Sequence, residues 1–262
     1  PGVYTVSTPL VIDRAVHIAG DGKLGDVRLE STRLGAISVV DTEGTEGHVV
    51  LSNLLIRCFA LAGESSSGNA VLIVHGSVTL DRCDISSSLQ GPAVAVCPGA
   101  RAWVQRTSVH NAAEGGVLFS GGRGDLFDVR MVGNAATGLE LREGAEVFAQ
   151  RCIAWKNGRQ GVMAWAGAKR LVLHDCDISH NGESNMLMGC GVAEIKTCRF
   201  GWAAFAGLAV EGGTAAIKHC CMFNNLAEGV LLQAKGSAKV SDCDTYNNRG
   251  SGLLVGRDAI GC

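Results

Sequence analysis

Six cysteines, Cys83, Cys152, Cys176, Cys198, Cys220 and Cys243, open the same short phrase, an apolar strand written Cys-x-apolar and followed by a turn. With the two copies that begin at Thr107 and Val129, successive anchors lie 24, 22, 23, 24, 22, 22 and 23 residues apart. A chain that repeats one unit of this size stacks the units on each other instead of wrapping them around one globular core.

Two further columns keep the same period. Gly116, Gly138, Gly161, Gly207, Gly229 and Gly252 each precede an apolar-x-apolar triplet, with Asn185 standing where the series lacks a glycine. A third triplet comes just before the anchor, as in Val78-x-Leu80, Ala102-x-Val104, Leu171-x-Leu173 and Ala215-x-Ile217. Each unit therefore holds three short strands with period-two alternation and turns too small for a helix. Leucine-rich, ankyrin, armadillo and tetratricopeptide repeats need a helical run or a fixed consensus that these glycine-broken triplets lack. The expectation is an all-β, right-handed, single-stranded parallel β-helix of about nine to eleven rungs, its hand set by the crossover rule for parallel strands. At a strand spacing of about 4.8 Å, nine or ten rungs make a rod about 45 Å long.

Stacking explains the residue choices. Each inward position lies over its counterpart in the next rung, so one column must suit a pile of like side chains. Cysteine, small and polarizable, fits such a column. The column two residues on, Ile85, Val109, Met131, Ala154, Ile178, Phe200, Met222 and Thr245, alternates large and small as a filled core does. Asn134, Asn157, Asn181, Asn225 and Asn248 fall five residues after their anchors, where a side-chain amide can bond to the rungs above and below.

A hydrophobic content of 47% with only 5% aromatics and 36 glycines is the balance of a narrow, turn-rich coil. A formal charge of −2, with no basic run interleaved with aromatics, gives no nucleic-acid signal. No apolar run approaches a membrane span. The 11 cysteines are an odd number, and the stacked ones point the same way, poor geometry for disulfides. Free thiols and the lack of an Asn-x-Ser/Thr sequon lead to the expectation of an intracellular, cytoplasmic protein. Neither Cys220-Cys221 nor Cys190 with Cys198 has metal-ligand spacing, so no metal and no cofactor is expected.

The expected organisation is one β-helix domain over 1–262. Residues 1–47 form irregular opening coils, 48–255 regular rungs, and 256–262 an uncapped end, in a chain read as part of a longer polypeptide. The stretch Gly63-Glu-Ser-Ser-Ser-Gly68 reads as a surface loop.

Runs such as Gly115-Gly-Val-Leu-Phe-Ser-Gly-Gly-Arg-Gly-Asp-Leu126 and Asn134-Ala-Ala-Thr-Gly-Leu-Glu-Leu141 resemble the repeats of the carbohydrate-binding-and-sugar-hydrolysis β-helix family. Within it they are most similar to the intracellular members found in F-box substrate adaptors and Shc-binding proteins. Pro1-Gly-Val-Tyr4 and Pro9-Leu-Val-Ile-Asp13 are similar to the first coil of such domains. The resemblance implies a pectate-lyase-like solenoid and, through its intracellular members, a non-catalytic recognition or scaffold module for protein partners. Its enzymatic members imply the alternative, a diverged lyase or epimerase of uronate polysaccharide, or a polysaccharide-binding module. The polygalacturonase-like Asn-Thr-Asp, Asp-Asp, Gly-His-Gly and Arg-Ile-Lys signatures are absent, as is the Asp-Pro-His of the epimerases.

No catalytic residue is expected under the first reading. Under the second, the candidates are Asp177 and Arg199, one residue after their anchors on adjacent rungs, with His174 close in sequence. The plain reading of that outward column is an exposed ion-pair ladder of little energetic weight. A different outward column, Leu118, Glu140, Met163, Leu187, Ala209, Leu231 and Leu254, reads as an exposed apolar stripe. Met163, Leu187, Leu231 and Leu254, with Trp165, are the expected binding residues, facing another protein chain or a covering segment. The open C-terminal rung is a second such surface, and carbohydrate an alternative partner. The aromatics near the turns, Trp155, Trp165, Trp202, Phe223 and Tyr246, read as corner packing that could also stack on sugars or anchor a protein contact.

Overall fold

The computed structural model describes residues 1–32, 34–40, 48–60, 66–165 and 167–260. Every regular element among them is a strand, and the chain deals its strands in turn to three parallel sheets. Gly2–Val6 enters sheet A, Leu10–Ile12 sheet B and Val16–Ala19 sheet C. The next coil repeats the order, with Val27–Ser31, Ile37–Val39 and His48–Ser52. Sheets A and B each reach 11 strands and sheet C reaches 10. The result is the expected parallel β-solenoid, and the three triplets of each repeat are its three strands.

Register follows the sequence period. Asp177 pairs with Arg199, Met163 with Leu187, and Leu171 with Ala193, so each residue lies over the one a repeat later. The opening coils differ from the expected irregularity. Gly2 to Val6 pairs residue for residue with Val27 to Ser31, with Tyr4 stacked on Leu29 and Leu29 on Ile56, so register holds without the cysteine phrase. Of the Gly63 to Gly68 stretch, residues 63–65 lie outside the described residues, and Ser67 makes an isolated parallel bridge to Gln90. The final Cys262 also lies outside the described residues.

The cysteine column runs through the core. Cys83, Cys152, Cys176, Cys198 and Cys220 are buried and Cys243 half-buried, all as free thiols. Each thiol faces a carbonyl of the preceding rung, as Cys83 Sγ does to Leu51 O at 3.4 Å and Cys198 Sγ to Leu173 O at 3.5 Å. Thr107 fills the same place with a hydroxyl that donates to Leu80 O at 3.4 Å and accepts from the Cys83 amide at 3.2 Å. A small side chain with a weak donor is what the column requires.

The asparagines form a second column. Asn134 Nδ2 donates to Asn157 Oδ1 at 3.0 Å, and Asn157 Nδ2 to Asn181 Oδ1 at 3.0 Å. The remaining proton of each amide reaches a backbone carbonyl, Val109 O and Met131 O respectively. Buried amides that satisfy each other in this way offset the cost of leaving water. They also explain the glycine column: a Cβ on Gly138 would lie 2.8 Å from Asn157 Nδ2 and 2.6 Å from Gly161 O.

Two corners recur with left-handed residues. Between sheets C and A, one residue per rung adopts the left-handed conformation, as in Arg82, Arg106, Asp128, Arg151 and Asp175. Among them Arg151 pairs with Asp128 at 2.7 Å, and Arg106 pairs at 2.7 Å with Asp81, the strand residue just before Arg82. At the exit of sheet A a second left-handed residue recurs at Asn111, Gly133, Lys156, His180, Trp202, Asn224 and Asn247.

Candidate functional site

Sheet C has an outer face of three side-chain columns, because its five-residue strands turn alternate residues outward. On four consecutive strands, Arg101–Gln105, Arg123–Phe127, Glu146–Gln150 and Arg170–His174, the first outward positions are Arg101, Arg123, Glu146 and Arg170. The middle column there is Trp103, Asp125, Phe148 and Val172, and the last is Gln105, Phe127, Gln150 and His174. On the next strand, Val192–Lys196, Glu194 continues the middle column.

These side chains enclose a groove of about 380 Å³ lined by Arg101, Arg123, Asp125, Glu146, Phe148, Arg170, His174 and Glu194. Its size and its mixture of aromatic and charged walls are those of a small-ligand site. Charges alternate along it: Arg101 meets Asp125 at 2.9 Å, and Arg123 meets Glu146 at 3.5 Å. Lys169 Nζ also meets Glu146, at 2.6 Å. The bonded Lys169 ammonium holds the Glu146 carboxyl below the usual carboxylate range. Beyond Trp103, the groove meets a second hollow lined by His48, Thr79, Trp103 and Gln105, where His48 and Thr79 hydrogen-bond at 2.6 Å. Burial lowers the pKa of His48.

His174 is the most constrained titratable group in the groove. Phe148 meets it edge-on with ring centroids 5.5 Å apart, and Phe148 in turn leans on Phe127 at 5.6 Å. Its Nε2 is buried without a hydrogen-bond partner, and Glu194 Oε1 stands 3.6 Å away. A fixed imidazole with an uncommitted nitrogen is equipped to take or give a proton.

Of the three catalytic candidates from the sequence, only His174 lies here. Asp177 and Arg199 sit on the outer face of sheet A, across the left-handed corner at Asp175. They are register partners but form no ion pair: the Arg199 guanidinium lies over the Phe223 ring at 5.2 Å, and Asp177 Oδ1 is buried and unpartnered. The ion pairs expected on that column occur instead at the neighbouring corner, between Arg151 and Asp128 and between Arg106 and Asp81.

The apolar column of sheet B is continuous through Leu118, Glu140, Met163, Leu187, Ala209, Leu231 and Leu254. It does not form the expected bare stripe. Met163 and Leu187 are half-buried, Leu231 is 5% exposed, and Leu254 alone of the four reaches 40%. Ala206, Ala209 and Leu231 cluster with Leu187 outside the main core, so neighbouring rungs shield one another. Trp165 is exposed near the exit of sheet B, and its ring lies across Gly189, where a Cβ would sit 2.0 Å from it.

The reading missed Arg101, Arg123, Glu146 and Arg170, although a signal for them exists. Each immediately precedes the apolar-x-apolar triplet that leads to an anchor. Following that column as the others were followed would have found four consecutive charged residues.

A family model described as right-handed beta helix region matches residues 63–188 and 164–260. No curated protein matches the chain. Among solved structures, the chain is similar to the A-module of the Azotobacter vinelandii mannuronan C-5 epimerase AlgE6. The TM-score is 0.73 at 13% identity, covering 100% of this chain and 88% of that one. The catalytic domain of a GH87 α-1,3-glucanase in complex with nigerose matches with TM-score 0.73 at 10% identity, covering 99% of this chain and 62% of that one. The pectate lyase Pel9A matches with TM-score 0.56 at 11% identity over 95% and 69%. These matches count against the expectation of a non-catalytic module for protein partners, because the epimerase, glucanase and pectate lyase that share the fold over 95–100% of the chain are carbohydrate-active proteins. At such identities they establish the fold.

Proposed function

The chain belongs to the right-handed β-helix family, and from that premise we propose that it is a carbohydrate-active protein that binds an acidic polysaccharide along sheet C and acts on it through His174. The observation that carries this reading is the His174 imidazole, with its uncommitted Nε2, in a groove also lined by Arg101, Arg123 and Arg170. The epimerase and lyase similarities support the substrate class.

Arg101, Arg123 and Arg170 suit the carboxylates of a uronate chain, since a guanidinium fork matches a carboxylate in shape and charge. Their present partners, Asp125, Glu146 and Glu194, are partly exposed, so exchanging each for a substrate carboxylate costs no more than about 1 kcal/mol. Phe148, and Trp103 with the Arg101 guanidinium 4.2 Å over its ring, give the sugar apolar surface beside the charges. Once substrate displaces Glu194 from beside His174 Nε2, that nitrogen takes the proton on the carbon next to the substrate carboxylate, and the C–H electron pair passes into the carboxylate, whose added charge Arg170 neutralises.

Turnover and binding of oligouronides separate these roles. His174→Gln abolishes turnover and leaves binding within about twofold, whereas Arg123→Ala and Arg170→Ala weaken binding tenfold or more. An oligouronide that binds no tighter than a neutral oligosaccharide of equal length would sink the proposal.

A further inference from the structure

Sheet C continues past the groove. Beyond His174 come the strands Val192–Lys196, Thr214–Lys218 and Ser237–Ser241, whose outward lysines the groove does not use. His174 is the register partner of Lys196, and Lys196 of Lys218. In the middle column Glu194 gives way to Ala216 and then to Lys239. Three exposed lysines therefore flank Ala216, whose side chain is a single methyl group.

The fold leaves these lysines without close counter-charges. In the groove each arginine has a carboxylate partner on a neighbouring strand, as Arg101 has Asp125 at 2.9 Å. Lys196 and Lys239 have none among the described residues, since Glu194 turns to Arg170 and His174. Lys218 reaches only the exposed Asp242, at 3.9 Å, which His219 approaches equally. A lysine set directly over a lysine repels it, so this stacking adds nothing to stability. It does suit an anion from outside, because ammonium heads on flexible stems can close around one.

Continuity with the groove identifies the anion. The lysines lie on the same face, and from Arg101 to Lys239 the two stretches together cover seven strands, or about 29 Å at about 4.8 Å for each step. An extended chain laid on the arginines runs onto the lysines. Their outward neighbours Thr214, Ala216, Ser237 and Ser241 are too small to stop it. Building on the uronate reading of the groove, we infer that Lys196, Lys218 and Lys239 bind carboxylates of the same uronate chain beyond His174. His174 then meets an interior unit of that chain and not an end.

Calorimetric titration with oligouronides of three to eight units tests this. Parental affinity should rise with length until a chain reaches across both stretches. In Lys196→Gln/Lys218→Gln the rise should stop sooner, with the octamer bound tenfold more weakly and the trimer within about twofold. That variant should melt at the parental temperature or above it, because a repulsion is removed. An octamer capped at both ends should be turned over at the rate of the uncapped one. An octamer bound equally by variant and parent, yet weakened by Arg123→Ala, would overturn the inference and leave the groove reading standing. Octamers bound no tighter than neutral oligosaccharides would sink both. Loss of turnover on capping would overturn the interior position of His174. A polyglutamate that binds as tightly as the octamer, and weakens equally in the variant, would give the lysines to an acidic protein segment and overturn the inference too.

Discussion

Asn181 donates from Nδ2 to Asn185 Oδ1 at 2.8 Å, and this bond carries the asparagine ladder across a rung that lacks its own asparagine. The regular place on that rung is Ala203, which cannot bond to a neighbour. Asn185, from the preceding rung, fills the gap by donating to Gly201 O at 2.9 Å and to Asn225 Oδ1 at 3.4 Å. The residue that breaks the glycine column is therefore the one that mends the asparagine column.

Restoring the consensus there should harm the protein. Asn185→Gly removes three bonds and leaves a buried N–H of Asn181 without a partner, while Gly201 O keeps the His180 amide, an expected loss of about 3 kcal/mol in denaturant titrations. A variant as stable as the parent would show that the gap needs no bridge.

Glycine is needed at two kinds of place, and substitution tells them apart. Gly138→Ala drives a Cβ toward the Gly161 carbonyl and the Asn157 amide, and should cost about 1–3 kcal/mol. Gly99 is left-handed at φ 80° with no atom within 4 Å of an added Cβ. Asparagine tolerates that conformation, so Gly99→Asn should cost less than about 1 kcal/mol. Urea midpoints of the two variants check the contrast.

Alkaline stability should follow the buried thiols. Burial pushes the thiols of Cys58 and Cys83 up, to about 12 and about 11, from an ordinary 9.0. The native state thus holds these protons more tightly than the unfolded chain does. The stability they contribute is full below pH 9.0 and is lost as the pH rises toward those higher values. Thermal melts should fall through that window, and Cys83→Ala should flatten part of the fall relative to the parent. Parallel curves for the two proteins would refute the assignment.

Within the groove, Glu146 competes with an acidic ligand for Arg123 and Lys169. Glu146→Gln should therefore raise affinity for an oligouronide about tenfold, most clearly at low salt, where exposed charges are least screened. Calorimetric titration reads this directly, and an unchanged or weaker affinity would place the ligand carboxylates elsewhere.

Legibility in the sequence followed from stacking. Cys176 over Cys198 and Asn134 over Asn157 are spacing made visible, because a parallel coil turns distance along the chain into height along the rod. For the same reason the Met163 to Leu254 column could be named. Its exposure could not, since how far Ala206, Ala209 and Leu187 cover Leu231 depends on side-chain size and direction, which the period does not record. His174 and Asp177 stand three residues apart and looked like one site. The left-handed Asp175 between them turns the chain from sheet C to sheet A and sends the two side chains to different faces.

By itself, then, the order of residues determined which side chains share a column, which columns face inward, and hence the solenoid with its cysteine and asparagine stacks. Only the tertiary structure decided which outward columns cooperate. It brought Arg170, His174 and Glu194 to one groove, and raised Trp202 beside Phe223 on another face. The physical reason is that contacts along the rod depend on a repeat length that can be counted. Contacts across a face depend on corner angles and on side-chain directions, and no spacing records those.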